Sequence, residues 1–265
     1  MSSRRLLLTA VAFGYAFLYV PVLLLVIFSF NESRLVTVWA GFSTKWYRGL
    51  LDNDALLRAA WLSVRIATVN ASLAVVLGML AAYASSRYRR FRGRVGFELL
   101  LTAPLVMPDV IIGLSLLLFV SMEQLIGWPP GRGFATISIA HITFSLAYAA
   151  VVIRARIGQL DPTLEEAEMD LGAKPPTVFL HITLPLLAPA LVSAWLLAFA
   201  LSLDDLVIAS FVSGPGSTTL PMWIYSNVRM GVSPEVNALA SLMLLVVTGA
   251  VILVGWVLRA RKAAA

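Results

Sequence analysis

The distribution of apolar residues along the chain predicts six membrane-spanning helices. A helix crosses the hydrocarbon core of a bilayer with about 20 mainly apolar residues. Six segments meet that requirement: Leu6–Phe30, Ala59–Ala84, Leu99–Met122, Phe134–Ile153, Leu184–Leu203 and Val236–Leu258. The pattern therefore predicts an all-α polytopic membrane protein, with residues 1–265 forming a single transmembrane domain.

Polar segments between these runs contain signals for shorter elements. Ser213-Gly214-Pro215-Gly216 is a turn signal, and Leu220–Tyr225 is an apolar piece too short to span. We expect a re-entrant or interfacial helix there. The connection Asn31–Arg58, between the first and second predicted spans, contains Trp39, Trp46 and Tyr47. These residues form either an interfacial aromatic belt or a contact surface for an extracytoplasmic partner.

Composition supports the membrane assignment. The chain has 265 residues, of which 60% are hydrophobic and 13% charged, and its mean hydropathy is +0.88. A soluble domain would carry about 25% charged residues. The absence of cysteine excludes disulfides, iron–sulfur clusters and thiolate zinc sites. The basic residues behind the net charge of +6 flank the apolar runs, which favours membrane topology over nucleic-acid binding.

The distribution of lysine and arginine predicts the orientation. One side carries 13 of them, in the N-terminus, the second and fourth connections and the C-terminus: Arg4, Arg5, Arg87, Arg89, Arg90, Arg92, Arg94, Arg154, Arg156, Lys174, Arg259, Arg261 and Lys262. The other side carries six: Arg34, Lys45, Arg48, Arg58, Arg132 and Arg229. By the positive-inside rule, both termini and the fourth connection are cytoplasmic.

The fourth connection contains a carboxylate-rich segment, residues 161–185, with the signals of a short helix. Asp161 is suited to the N-cap and Pro162 to the first helical position. An apolar stripe follows at helical spacing: Leu164, Ala167 and Leu171. Gly172 suits the left-handed residue that ends a helix. Nothing nearby in the sequence covers this helix of about ten residues, so it is either a solvated surface helix or a docking element.

The spacing of Glu166-Ala167-Glu168, Gly172 and Ile182-Thr183-Leu184-Pro185 resembles the EAA loop of permeases of ATP-binding cassette (ABC) importers. The resemblance implies the type I ABC importer permease fold and a cytoplasmic coupling helix that docks on a separate ATPase. The coupling residues that it implies are Glu165, Glu166, Ala167, Asp170, Leu171, Gly172 and Ala173. Glu168 departs from the family pattern, which has alanine there, and suggests a compensating basic residue on the ATPase.

Three carboxylates lie in or beside the spans. Pro104 and Pro108 disturb the third predicted span. Asp109 follows them and is expected about 15 Å deep in the bilayer, counted at 1.5 Å per residue from Leu99. A carboxylate at that depth marks a transport pathway or caps a kinked helix. Asp204 and Asp205 end the fifth span. Adjacent helical residues point about 100° apart, so one can face a cavity while the other caps a helix or forms a pair.

A carboxylate-lined pathway favours cations over anions. Three aromatic residues, Tyr148, Trp223 and Tyr225, are candidates for additional cation–π attraction. His141, alone in an apolar helix, is expected more often as a hydrogen-bonded packing residue than as a ligand. A small amine-bearing solute is the substrate class that this chemistry favours.

Beyond the loop, stretches spread over nearly the whole chain resemble the polyamine branch of these permeases, in particular its putrescine permeases. These stretches are Tyr19–Asn31, Leu35–Tyr47, Thr102–Leu118, Ser202–Gly216 and Val228–Ala240. The resemblance implies a non-catalytic subunit of the bacterial inner membrane that imports a polyamine. The implied partners are a second homologous permease, two cytoplasmic ATPase subunits, a periplasmic polyamine-binding protein and the lipid bilayer, without nucleic acid, metal or cofactor. The sequence has no G-x-x-x-x-G-K-[ST] motif, so ATP would be bound by the other subunits.

Three other interpretations compete with this one. An ion-coupled secondary transporter of small organic cations would share the intramembrane carboxylates but would not need a polar docking helix. An intramembrane enzyme could use Asp204 or Asp205 with His141, yet adjacent aspartates on one helix do not converge on a substrate. A purely structural scaffold would leave Asp109 unexplained.

Overall fold

The computed structural model describes residues 3–35, 38–88, 90–122, 127, 131–231 and 233–263. Arg89 and part of the connection Asn31–Arg58, both used in the sequence analysis, lie outside the described residues. The chain divides into two compact units. One consists of Met1–Leu57 with Ile224–Ala265, and the other is Arg58–Trp223. That residues 1–265 form one domain remains a prediction.

The described chain is helical apart from loops and one isolated antiparallel bridge between Asn31 and Phe42. The helices, in chain order, are α1 (Ser3–Phe28), α2 (Lys45–Asp52), α3 (Asp54–Arg87), α4 (Arg94–Val106), α5 (Asp109–Ser121), α6 (Phe134–Ile157), α7 (Thr163–Asp170), α8 (Pro175–Val178), α9 (Leu184–Asp204), α10 (Val207–Val212), α11 (Leu220–Met230) and α12 (Pro234–Ala263). A π-helical turn, Phe179–Thr183, joins α8 to α9.

Four of the predicted spans are continuous helices, long and apolar enough to cross a membrane: Arg4–Phe28, Asp54–Arg87, Phe134–Ile157 and Pro175–Asp204. The sixth predicted span corresponds to α12, whose described apolar part is Pro234–Val246. The described helices thus account for four spans, or five if the bent pair α4 and α5 forms one. Six spans remain the prediction.

The third predicted span, Leu99–Met122, is broken into α4 and α5, whose axes are bent by 117°. Met107 is extended, with φ −76° and ψ 135°, because a residue before proline avoids the α region. Pro108 is extended as well and immediately precedes α5. The break leaves Asp109 at the start of a new helix, a sharper change than a kink within one span.

The larger unit, Arg58–Trp223, is built around α6, which packs on α4, α9 and α10. Small residues permit the close approach of α3. A Cβ on Gly78 would lie 3.0 Å from both the Ala149 Cβ and the Ala150 backbone nitrogen. The buried Asn70 amide donates to Ser145 Oγ at 3.1 Å and to the Ala198 carbonyl at 2.9 Å. These bonds join α3, α6 and α9, because a buried amide needs partners.

In the smaller unit, α12 packs on α1 and α2. The described part of the connection after α1 folds around the buried side chain of Asn31. Its amide donates to the Leu35 and Val38 carbonyls, and its oxygen accepts the Ser33 and Ala40 N–H groups. The Asn31 side chain thus joins residues 33–35 and 38–40 of this connection to the end of α1.

Candidate functional site

A cavity of about 410 Å³ in the larger unit brings together the three predicted carboxylates. Its walls come from α5, α6, α9 and the start of α10. The lining residues are Asp109, Phe144, Leu197, Ala200, Leu201, Asp204, Asp205, Leu206 and Val207. Apart from the three acids, the lining is apolar.

The break between α9 and α10 gives the adjacent aspartates different roles. Asp205 Oδ1 accepts the Ile208 N–H at 3.3 Å, and Oδ2 accepts the Ala209 N–H at 2.7 Å. Asp205 therefore caps the first turn of α10, where free N–H groups need acceptors. Asp204, the last residue of α9, is exposed. The sequence left open which aspartate caps a helix. In the structure Asp205 is the capping residue, and Asp204 is the exposed one.

Asp109 reaches the same cavity from another helix. It is the first residue of α5, and its side chain is exposed. The bend at Pro108 places it there. The cavity therefore has two open carboxylates, Asp109 and Asp204, whose helices are far apart in the sequence.

His141 ties the capping aspartate to α6. Its Nδ1 lies 2.7 Å from Ser202 Oγ, and its Nε2 lies 3.1 Å from Asp205 Oδ2. Because an ionised carboxylate only accepts hydrogen bonds, we assign the proton facing Asp205 to Nε2. The His141 side chain is only 3% exposed, so it acts as a buried connector beside the cavity.

The predicted aromatic residues are distributed differently. Tyr148 is half-buried, and its ring centroid lies 5.0 Å from that of Phe144, which does line the cavity. Trp223 is buried, whereas Tyr225 is 53% exposed and belongs to the other unit. Of the six predicted pathway residues, the cavity lining includes only the three acids. Phe144 was missed, although the i, i+3, i+7 spacing of His141, Phe144 and Tyr148 places all three on one helical face.

The loop helix forms as its end signals predict, although it is shorter than expected. α7 spans eight residues, Thr163–Asp170. Asp161 Oδ1 accepts the Thr163 backbone N–H at 3.0 Å, and this bond lowers the pKa of Asp161 below its ordinary value. Gly172 has φ +90°, and the Ala173 N–H returns to the Glu168 carbonyl at 3.2 Å. The left-handed glycine and this returning bond are typical of a helix C-terminus.

The two faces of α7 point in opposite directions. Glu165 turns inward, where its Oε1 accepts Arg87 Nη2 at 2.6 Å and Thr183 Oγ1 at 2.8 Å. Away from this contact, Leu164 is 49% and Leu171 89% exposed. Of the other residues assigned to coupling, Glu166, Ala167, Asp170 and Gly172 are exposed, whereas Ala173 is half-buried. The residues assigned to coupling thus divide into an outward set and the inward-facing Glu165.

Glu168 lies on the inward side of α7 and is half-buried. Its Oε2 is buried and has no hydrogen-bond partner among the described residues. A basic partner for this carboxylate therefore remains a prediction.

The loop is continuous with α9, the helix that ends at Asp204. Thr183 is fully buried at the end of the π-helical turn, and α9 follows directly. At 1.5 Å per residue, the 21 residues of α9 separate the loop contact from Asp204 by roughly 30 Å. The carboxylate-rich loop and the acidic cavity therefore lie at opposite ends of one helix.

The model of the family described as "Binding-protein-dependent transport system inner membrane component" matches residues 74–262. The putrescine transport system permease protein PotI of Escherichia coli strain K12 is 60% identical over 252 residues, covering 94% of this chain and 88% of PotI. The spermidine/putrescine transport system permease protein PotC of the same strain is 44% identical over 230 residues, covering 87% of this chain and 85% of PotC.

Solved structures share the fold at low sequence identity. A chain of a bacterial ABC transporter involved in the import of the acidic polysaccharide alginate has a TM-score of 0.72 and 15% identity, covering 97% of this chain and 94% of its own. A chain of the MetNI methionine ABC transporter in an inward-facing conformation has a TM-score of 0.59 and 18% identity, covering 77% and 95%. From the family match and these relatives, the chain belongs to the inner membrane components of binding-protein-dependent transport systems, which are non-catalytic permease subunits of ABC importers.

Proposed function

We propose that this permease carries a polyamine, putrescine in the first instance, through the inner membrane, and that Asp109 and Asp204 bind it in transit. The observation that carries the proposal is the opening of these two carboxylates, from different helices, onto one otherwise apolar cavity. PotI is a putrescine permease and PotC a spermidine/putrescine permease, and both support the choice of cargo.

The electrostatics of the cavity favour a cation. Unit charges about 4 Å apart attract by roughly 4 kcal/mol at an effective dielectric constant of about 20. An ammonium group facing Phe144 would gain about 0.5–2 kcal/mol more. A diamine can place one ammonium group against each open carboxylate, whereas two carboxylates repel an anion. Tyr148, Trp223 and Tyr225 remain predicted pathway residues, outside the cavity lining.

The outward face of α7 is the proposed contact with one of two cytoplasmic ATPase subunits. A second homologous permease would complete the pore, and a periplasmic polyamine-binding protein would deliver the cargo. The excess of lysine and arginine on one side supports cytoplasmic termini and a cytoplasmic loop. Closure of the ATPase dimer would push α7, and the contacts of Glu165 would pass the motion to α3 and α9. The exposed apolar residues Leu164 and Leu171 support docking because a solvated helix rarely presents such a stripe.

The cavity is tested with Asp109→Asn and Asp204→Asn in the complete transporter, reconstituted in proteoliposomes. Each variant is expected to weaken the apparent affinity for putrescine about 10- to 100-fold, because one ion pair of roughly 1.4–2.8 kcal/mol is lost. Asp52→Asn is the matched control, since Asp52 is exposed on α2 in the other unit. Unchanged uptake kinetics in both cavity variants would remove these carboxylates from the pathway.

The loop is tested with Glu166→Lys and Gly172→Pro. Both are expected to leave the helices inserted while uncoupling ATP hydrolysis from uptake, because they alter the docking face and the end of α7. ATPase activity and labelled putrescine uptake are measured on the same preparations. Normal uptake in either variant would argue against docking through α7.

A further inference from the structure

We propose that His141 is a specificity-determining residue, because its Nε2 competes with a bound amine for the carboxylate of Asp205. Asp205 remains ionised at the cavity wall, but donors of this chain hold its oxygens, so Asp109 and Asp204 are the two carboxylates that can pair directly with ammonium groups. This arrangement suits a dication better than a trication. This inference rests on the proposed function, in which an amine binds in the cavity.

The side-chain oxygens of Asp205 are occupied by donors from this chain. Oδ1 accepts the Ile208 N–H, and Oδ2 accepts both the Ala209 N–H and His141 Nε2. The two backbone donors lie on the α10 side of the carboxylate. The His141 ring is the only one of the three donors that comes from a side chain, so it alone can be removed by substitution.

The ring is fixed from its other side. Ser202 Oγ lies 2.7 Å from Nδ1, and both residues are buried, at 6% and 2% exposure. In the tautomer with the proton on Nε2, the Ser202 hydroxyl donates to Nδ1, and both ring nitrogens are satisfied. His141 is thus held in the orientation that donates to Asp205.

Loss of His141 leaves α10 attached to α6 elsewhere. Thr136 Oγ1 donates to the Val212 carbonyl at 2.7 Å, at the far end of α10. The first turn of α10 also keeps its cap, since the two backbone N–H groups still reach Asp205. The expected effect of removing His141 is therefore local: a vacant lone pair on Asp205 Oδ2 at the cavity wall.

A third available carboxylate changes the balance between amines of different charge. A triamine gains a partner for its third ammonium group, whereas a diamine already has two. We expect the ratio of kcat/KM for a triamine to kcat/KM for a diamine to rise about tenfold. A change of this size lies between the energy of an exposed ion pair and that of a partly buried ion pair.

The test uses the complete transporter in proteoliposomes, with putrescine and spermidine supplied in competition. His141→Leu removes the donor and is expected to raise the spermidine-to-putrescine ratio about tenfold. His141→Gln, which restores an N–H donor, should bring the ratio back toward that of the parent protein. In the double variant His141→Leu/Asp205→Asn the rise should be lost, because the carboxylate that would pair with the third ammonium group is gone.

Two control variants separate this effect from general damage. Thr136→Ala removes the hydrogen bond from α6 to the Val212 carbonyl of α10. It does not touch Asp205, so the spermidine-to-putrescine ratio should stay unchanged. His181→Asn alters the other histidine of the chain, which is exposed, and should also leave the ratio unchanged. If His141→Leu does not assemble with its companion subunits, Ser202→Ala is compared instead, because it frees the ring. A rise of the ratio in Ser202→Ala supports the proposal, and an unchanged ratio overturns it.

An unchanged ratio in an assembled His141→Leu transporter overturns the role of His141. The same holds for an equal rise in Thr136→Ala, which would show a packing effect. The proposed function fails separately, by unchanged uptake in Asp109→Asn and Asp204→Asn. An unchanged His141→Leu ratio together with impaired Asp109→Asn and Asp204→Asn uptake would refute this inference alone.

Discussion

Glu165 offers the sharpest single test of how the loop is joined to the membrane helices. Its Oε1 accepts hydrogen bonds from Arg87 Nη2 and Thr183 Oγ1. Arg87 ends α3, Glu165 lies in α7, and Thr183 immediately precedes α9. One carboxylate oxygen thus connects three elements, so its removal should loosen the loop from both long helices.

The expected magnitude follows from partial burial. The Arg87 and Glu165 side chains are 22% and 13% exposed. Exposed ion pairs contribute about 0.2–1 kcal/mol, whereas breaking a buried pair costs about 3–5 kcal/mol. We expect a coupling energy of about 2 kcal/mol between Arg87 and Glu165. The Thr183 hydroxyl adds about 1 kcal/mol to the cost of Glu165→Ala.

The assay is a double-mutant cycle with Arg87→Ala, Glu165→Ala and the combined variant. Unfolding is followed by tryptophan fluorescence in detergent, and uptake and ATPase activity are measured in proteoliposomes. Glu165→Ala should reduce uptake more than ATP hydrolysis, while Glu165→Gln keeps an acceptor and should lie between Glu165→Ala and the parent protein. Glu166→Ala, on the exposed face of the same helix, should leave the stability unchanged.

The result that would refute this reasoning is a coupling energy below about 0.5 kcal/mol, the size of an exposed pair. Equal losses of uptake and ATPase activity in Glu165→Ala would also contradict it. That outcome would place Glu165 in the docking contact itself rather than in the link to α3 and α9.

Four further substitutions, one of them a control, test side-chain packing, backbone conformation and hydrogen bonding. In Gly113→Ala the new Cβ would lie 2.5 Å from Phe211 Cδ2, so overpacking should destabilise the α5–α10 contact by about 1–3 kcal/mol in thermal unfolding. Gly172→Ala should cost about 1 kcal/mol because φ is +90°, whereas Gly158→Ala, at φ −64°, should be neutral within about 0.5 kcal/mol. Asn31→Ala leaves several backbone partners unpaired, so hydrogen exchange in the connection after α1 should accelerate by at least about tenfold, the equivalent of one lost hydrogen bond.

The comparison with the alginate importer bears on where cargo selection resides. That protein's fold is similar at a TM-score of 0.72, although its cargo is an acidic polysaccharide. A shared fold therefore does not determine the charge of the cargo, which depends on particular side chains. The proposal of a cation pathway depends on Asp109 and Asp204, not on the architecture.

Features that depend on neighbouring residues can be predicted from the amino-acid sequence of this chain. The lengths of the apolar runs indicate the long helices, and Asp161 and Gly172 indicate the two ends of the loop helix. Pro104 and Pro108 indicate a disturbed helix in the third span. These signals are local because capping, backbone conformation and hydrophobic length act within a few residues. The same kind of signal shows that Asp204 and Asp205 cannot share one helical face.

The contacts between helices, in contrast, show that Asp204 is exposed and that Asp205 caps α10, although both line the cavity. Only the tertiary structure decided that Asp109 faces the same cavity, that His141 reaches Asp205, and that Glu165 turns toward Arg87. The position of Asp109 depends on the 117° bend of α4 and α5, and the contact of His141 with Asp205 depends on the packing of α9 and α10 on α6. The sequence pattern contains no distance between helices, because such contacts are set by side-chain packing among residues far apart in the chain.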